Sequence, residues 1–431
     1  MADYRTFRTV LAETHGEAGL AVRHELFAHA VGPRGWRGKP AQILRTLLVA
    51  FRDLVRLAST PAAAQPIPPG HPVAAVSLPG ASGWGTLRQT ISELSAAGLP
   101  VTAVLHPRLP LRRESLPGHD GPARRLSLRA PAAIAGAVRA GLGHRGKPAP
   151  RLSGLAVRLA LVRLELWRAA WRSATGGGTG APILLHNDFD IFSTSALGTG
   201  RETLCLQHGL PTDEFFPCRA DRQAVWSEIC ASAYRAQGVE ADRLFVARFR
   251  ERPAPRHDGT APPVGIALLS QSHAAHILPD IADRLAALAL ALHDRGMPFR
   301  ILLHPEEVRR GHPYPADLAP LLSHPPHPLL EADGRSWLVA GLLSTALLDL
   351  ADLGHFVVGL DWKIEGQDAA RAIGQPPRRA LRRRAEIELS GPGPEALQAL
   401  PRLNAAGAGR QSPRRDSRMT PAPRAAMNTL L

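Results

Sequence analysis

The sequence predicts an α/β protein of two doubly wound halves that face a cleft. Two observations carry that expectation. The segment running from Gly98 to Pro107, Gly-Leu-Pro-Val-Thr-Ala-Val-Leu-His-Pro, returns from Gly296 to Pro305 as Gly-Met-Pro-Phe-Arg-Ile-Leu-Leu-His-Pro, a separation of 198 residues (296 minus 98). That spacing is too long for a solenoid repeat and suits a whole domain. Around both copies, short apolar runs alternate with helical stretches, the pattern of right-handed parallel crossovers. A chain of 431 residues is long enough for two cores.

Taken in order, Pro72–Leu78 reads as a strand and Pro79–Gly85 as a loop opening a helix. Leu87, Ile91, Leu94 and Ala97 share one face of that helix. Leu99–Leu105 is the next strand, ending on His106-Pro107. Pro182–His186 is a strand followed by the polar run Asn187–Asp190 and a short helix to Leu197. Glu202–Leu206 stops on Gln207, His208 and Gly209. Ala224–Trp226, a helix Glu228–Gln237 and Arg243–Val246 complete the first half.

Residues 250–263 are a linker by their Pro, Arg and Gly content. Val264–Leu269 opens the second half and exits on Ser270-Gln271-Ser272. A helix Asp280–Arg295 follows, with Ile281, Leu285, Leu288 and Leu292 as its stripe. Phe299–Leu303 leads to His304-Pro305. Trp337–Leu343, Ser344-Thr345, a helix Ala346–Leu353 stopped by Gly354, and a strand Phe356–Leu360 close it. The expected divisions are 1–249, 250–263, 264–360 and an Arg/Pro-rich, largely irregular tail, 361–431, disordered from about Asn404.

Two further helices, 41–57 and 155–171, are apolar with Arg beside the stripe. A basic amphipathic helix can lie on an anionic membrane. We expect both instead to pack on the first sheet and show Arg to water.

The net charge is +15, from 52 Lys/Arg against 37 Asp/Glu, and Lys occurs only at Lys39, Lys147 and Lys363. With so much Ala, Pro and Gly, part of this charge reflects base composition. No zinc spacing, helix-turn-helix or aromatic-interleaved basic groove appears, so nucleic acid is the least supported partner. Cys205, Cys218 and Cys230 form neither a disulfide framework nor a metal set. No apolar run is long enough to span a bilayer and no signal core opens the chain, so the expectation is a cytoplasmic protein, with peripheral contact to anionic membrane at its inner face.

In a doubly wound sheet, ligands bind beyond the carboxyl ends of the strands, where loop N–H groups and helix starts favour anions. The polar clusters fall there. Ser270, Ser272, His304 and the Ser344-Thr345 pair suit a phosphate. Each also has a plain reading as a cap or turn. His208, with Asp213 and Glu214 a few residues on, suits general-base activation of a hydroxyl, and Asn187-Asp188 form another of the polar clusters. Gln207 and Gly209 flank it, with Gly209 allowing close backbone approach.

Leu206-Gln-His-Gly-Leu-Pro211, Glu214-Phe-Phe-Pro217, Ala220-Asp221 and Val225-Trp-Ser227 resemble bacterial surface-polysaccharide glycosyltransferases of the GT-B fold. Leu302-Leu-His-Pro-Glu306 and Leu343-Ser-Thr-Ala-Leu347 resemble their second-domain motifs. The likeness spans about Pro72 to Leu360 and extends to sialyl- and Kdo-type capsule enzymes and, more distantly, CDP-glycerol glycerophosphotransferases. It implies two Rossmann-like domains and transfer of a sugar from a CMP- or CDP-linked donor to a saccharide or lipid-linked acceptor, in surface or capsular polysaccharide synthesis, with no cofactor and no metal. His304, Pro305, Ser270, Ser272, Ser344 and Thr345 would face the donor, and Gln207 and Gly209 the acceptor. The Asp/Glu-Asp/Glu-Gly motif of several sialyltransferases is absent, which leaves the base open among Asp188, His208 and Glu214. The chain after Leu360 also lacks the helices that finish such a second domain. A glycerophosphotransferase and a nucleotide-binding remnant of the same fold stand as alternatives.

Overall fold

The computed structural model describes residues 4–31, 38–61, 65–77, 84–107, 109, 116, 118–149, 152–209, 215–226, 228–247, 263–272, 281–294, 296, 298–325, 336–342, 346, 347, 350, 353 and 355–360. They belong to two compact units divided after Arg250. The expected linker, apart from Pro263, and the expected tail from Asp361 onward lie outside the described residues.

The first unit begins with three helices: α1 (Tyr4–Ala21), interrupted at Gly16, α2 (Arg23–Val31) and α3 (Lys39–Ser59). The sheet and its helices then alternate: β1 (Val73–Val76), α4 (Thr86–Ala96), β2 (Thr102–Leu105), β3 (Ala123–Arg125), α5 (Pro131–Leu142), α6 (Gly154–Thr175), β4 (Ile183–Leu185), α7 (Ile191–Ala196), β5 (Thr203–Leu206), β6 (Arg222–Val225), α8 (Glu228–Arg235) and β7 (Leu244–Val246). All seven strands are parallel, in the order β3-β2-β1-β4-β5-β6-β7.

The second unit contains β8 (Ile266–Leu269), α9 (Ile281–Asp294), β9 (Phe299–Leu302), α10 (Pro305–Arg310), β10 (Leu322–Ser323), β11 (Leu338–Gly341) and β12 (Phe356–Gly359). Its parallel sheet runs β10-β9-β8-β11-β12. Number the strands by their place in each half, and both sheets read 3-2-1-4-5; the first adds two more. The strand order therefore reverses between β1 and β4 in one unit and between β8 and β11 in the other, the two switch points where such sheets take ligands.

The central strands are short, and β1, β2, β5, β8 and β11 are buried along their whole length. Strands covered on both faces need continuous apolar sequence, which is why these runs stood out as unbroken rather than alternating. Successive residues feed opposite faces. Val73, Ala75, Val104 and Ile183 join Trp167 and Trp171 of α6, whereas Ala74, Val76, Ala103 and Leu184 join Leu87, Ile91 and Leu94 of α4. In the second unit, Ile266 and Leu268 meet Leu285 and Leu288 of α9, while Ala267 and Leu269 meet Val339 and Leu347.

Two expectations about helices are corrected. Helix α6 does not show all its arginines to water. It is buried nearly all round, and Arg163 pairs with Asp53 and Glu25, each at 2.6 Å. Helix α3 faces the other way from the expected packing: Gln42, Thr46, Ala50, Asp53 and Leu57 are buried, and its Leu/Phe stripe is exposed. The cause is the inner clamp. Asp53 accepts from Arg163 and Trp167, and Gln42 accepts from the backbone N–H of Ser153 at 3.1 Å. A buried cation on α6 needs a buried anion opposite it, and α3 supplies it from its polar side.

Candidate functional site

At the switch point of the first unit, β1 ends on Ser77 and β4 ends on His186-Asn187. Asn187 Oδ1 accepts from the backbone N–H groups of Phe189 and Asp190, an Asx turn that folds the exit loop back on itself. The turn aims Asp190 inward. Its Oδ1 caps α7 by accepting from Ser193 N at 2.7 Å. Its Oδ2 accepts from Ser77 Oγ at 2.6 Å and Asn187 Nδ2 at 2.7 Å. Asn187 Nδ2 also donates to His186 Nε2 at 2.8 Å.

Burial disfavours ionised Asp190, but His186, the Ser193 N–H, Ser77 and Asn187 outweigh it, and the pKa falls below the ordinary value. His186 moves down as well: burial dominates, with Asp190 and the Ala75 backbone opposing it. The result is a buried anion beside a neutral imidazole. Ser77 donates its hydrogen bond to Asp190, and the His186 Nε2 that lies 3.4 Å from its oxygen already accepts from Asn187, so Ser77, His186 and Asp190 do not form a nucleophile triad.

His208 lies one strand over, at the exit of β5. Its ring stacks on Phe215 with centroids 4.9 Å apart and 13° between planes, and meets His186 edge-on at 5.6 Å. Phe189 closes the cluster, 6.0 Å from His208. His208 is half-buried, on the rim of the polar network, with an aromatic wall that fixes the ring plane. Gln207 is fully enclosed. It donates to Gly209 O and Cys230 Sγ and accepts from Trp226 N, so it braces the exits of β5 and β6.

Asp188 points away from this rim. Its Oδ2 accepts from the backbone N–H groups of Arg219 and Ala220 and from Gln223 Nε2 at 3.1 Å. The carboxylate ties the β4 exit to the chain before β6. Glu214 lies outside the described residues. The cysteines are free, and burial holds the Cys205 and Cys218 thiols well above their usual range, so neither is a thiolate at neutral pH.

At the switch point of the second unit, Ser270 and Ser272 follow β8. Both hydroxyls donate to Glu307 Oε1, and the Ser272 N–H joins them. Glu307 Oε2 accepts from His304 N at 2.8 Å, while His304 Nδ1 accepts from Glu306 N at 3.1 Å and caps α10. An accepting Nδ1 in a neutral ring places the proton on Nε2. Tyr314 donates to Ser270 Oγ at 2.7 Å, and burial raises its pKa, so it stays a donor. Gln271 accepts from Leu342 N, joining the exits of β8 and β11. Pro305 is the first residue of α10, where its missing N–H costs nothing. Ser344 and Thr345 lie outside the described residues.

The structure thus groups His208 with His186, Asn187 and Asp190, and groups Ser270, Ser272 and His304 through Glu307. Sequence reasoning missed Ser77, His186, Asp190 and Glu307. Glu307 left a signal: it stands three residues after the cap His304, the spacing of a capping box.

No protein-family model matches the chain, and no curated protein matches it. Among solved structures it is similar to the glycotransferase of kitacinnamycin (16% identity, TM-score 0.39, 80% of this chain and 97% of that one). It is also similar to CalG4, the calicheamicin glycosyltransferase (13% identity, TM-score 0.38, 79% and 91%). A third is UDP-N-acetylglucosamine 2-epimerase from Rickettsia bellii (10% identity, TM-score 0.39, 78% and 95%).

Proposed function

We propose that the chain is a glycosyltransferase that moves a sugar from a nucleotide-linked donor, CMP- or CDP-linked, to a saccharide or lipid-linked acceptor for a surface polysaccharide. One observation carries the reading: both units repeat a 3-2-1-4-5 strand order, and each gathers polar side chains at its switch point. The donor class and the polysaccharide role are supported by the motifs Leu206–Pro211 and Leu302–Glu306.

In this reading His208 is the base. Its ring takes the proton of an acceptor hydroxyl as that oxygen bonds to the anomeric carbon. The bond from that carbon to the donor phosphate breaks, and the nucleotide leaves with the electron pair. Asp190 and His186 support the site from beneath, and Asp188 positions the loop. In the second unit, His304 Nε2–H donates to the phosphate, together with Ser344 and Thr345 at the start of the expected helix. Ser270 and Ser272 act through Glu307, holding the β8 exit against α10. No metal enters this reading.

A second reading is a nucleotide-binding remnant without turnover. It is favoured by the Glu307 carboxylate, which fills the nest of donors that a phosphate would otherwise use. Incubation with CMP-sugars, CDP-glycerol and UDP-sugars in separate reactions, following nucleotide release, separates the readings. Release from a CMP- or CDP-sugar is expected, lost in His208→Ala at an unchanged melting temperature. Release from CDP-glycerol alone would point to a glycerophosphotransferase. Stabilisation by CMP or CDP without release supports the remnant, and no stabilisation by any nucleotide sinks both.

A further inference from the structure

Helix α3 is built with its polar side inward and its apolar side out. Phe51 is 63% exposed and Leu48 55%, and Leu44, Leu47 and Val55 are exposed with them. Their spacings of three and four residues put all five on one stripe. The buried residues Gln42, Thr46, Asp53 and Leu57 stand on the opposite side. At 21 residues the helix is about 30 Å long. The stripe is fixed in place, because the Asp53–Arg163 pair and the Gln42–Ser153 bond hold the inner face.

A soluble surface helix gains nothing by showing five large apolar side chains in a row, and contiguous patches of this kind mark an interaction surface. The charges name the occupant. Arg45 stands exposed on one flank of the stripe and Lys39 at the helix start, while Arg52 and Arg56, half-buried on the same flank, reach Asp53 at 3.9 and 3.8 Å. The sole acid of α3 is Asp53, which is buried and already faces Arg163, Arg52 and Arg56. Two copies of the stripe packed together would therefore bring basic flanks together with no exposed acid on either helix to pair with them. An anionic lipid surface meets both needs: its acyl boundary takes the Leu/Phe stripe, and its headgroups take the exposed Arg45 and Lys39 at the depth their long stems reach. No helix among the described residues is long and apolar enough to cross a membrane. The contact is with one face of the bilayer.

We propose that α3 docks the protein on an anionic membrane, lying in the interface with Leu44, Leu47, Leu48, Phe51 and Val55 inserted. The docking stands independently of the chemistry proposed above.

Co-sedimentation of the full chain with phosphatidylcholine vesicles, with and without phosphatidylglycerol, tests it. Binding is expected only when phosphatidylglycerol is present, and it should weaken as salt is added. Leu47→Glu with Phe51→Glu should lower vesicle partitioning by more than about tenfold. Arg45→Gln should lower it by about fivefold. Because these residues are exposed, both variants should melt with the wild type. Phe51→Trp should bind normally, and its emission should shift to the blue with phosphatidylglycerol vesicles. Equal binding of the Glu variant and wild type, or no blue shift in the Trp variant, would overturn the proposal. So would a dimer in sedimentation velocity that the Glu variant dissolves, with no vesicle binding by wild type; that result would assign the stripe to a second copy.

Discussion

His186 is enclosed within the first unit, and burial holds its pKa below the ordinary 6.5. Asp190, linked to it through Asn187, is held below 3.8 by His186 and by hydrogen bonds from Ser193, Ser77 and Asn187 despite burial. Both shifts act in one direction. Below pH 6.5 the unfolded chain takes up a proton that folded His186 refuses, so stability falls as pH drops from 6.5 toward the folded pKa. Asp190 adds a second loss as pH falls from 3.8 through its lower folded value. Urea midpoints against pH should be level above 6.5 and decline below it. His186→Asn should flatten the first decline; the remaining slope belongs to groups such as His15, also lowered by burial and by His144. An unchanged slope in that variant would remove His186 from the account. At this scale, the sequence revealed which strand ends carry polar side chains but not where each one points. Asn187 and Asp188 are neighbours, yet one folds into the His186 network and the other turns to Arg219. Ser270 and Ser272 looked like phosphate donors because their partner Glu307 lies 37 and 35 residues away.

Helix α3 shows what periodicity leaves out. Its stripe fixes one apolar face, and in most helices that face meets the core. Here the core side was decided by Arg163 of α6, which burial forces to find an anion. Asp53→Ala should therefore cost roughly 3–5 kcal/mol in urea unfolding, by leaving Arg163 buried with one partner fewer. On the outer face the order inverts. Phe51→Gln should change stability by less than about 0.5 kcal/mol, while Leu57→Ala, on the buried face, should cost about 2 kcal/mol or more. A Phe51→Gln variant that destabilises as much as Leu57→Ala would place the stripe in a core. The strands were legible because parallel interior strands need unbroken apolar runs. β3 was not, since its Ala-Arg-Arg sequence is half-exposed and, among the described residues, pairs with β2 alone.

Across the whole molecule, the repeated His-Pro segment follows equivalent strands. Gly98 and Gly296 both have positive φ, at 82° and 62°, and end the helices before β2 and β9, the second strand of each sheet. The shared build was readable because a glycine stop, a short apolar strand and His-Pro are local signals. The divergence after His-Pro was not, because it depends on what packs above the exit. His106 is buried between Trp167 and Phe192, with centroids 5.4 and 5.3 Å away. His304 is half-exposed and caps α10. One substitution should therefore have two different consequences. His106→Ala should lose about 2 kcal/mol or more of stability through the gap left against Trp167. If the first unit remains folded, nucleotide stabilisation should be preserved. His304→Ala should lose only about 1 kcal/mol, the worth of a cap, but should abolish the rise in melting temperature with CMP or CDP. Chemical denaturation and thermal shift on the two variants measure both quantities. If His304→Ala kept the full nucleotide shift, the donor reading of the second His-Pro would fail, and the two copies would differ in packing alone.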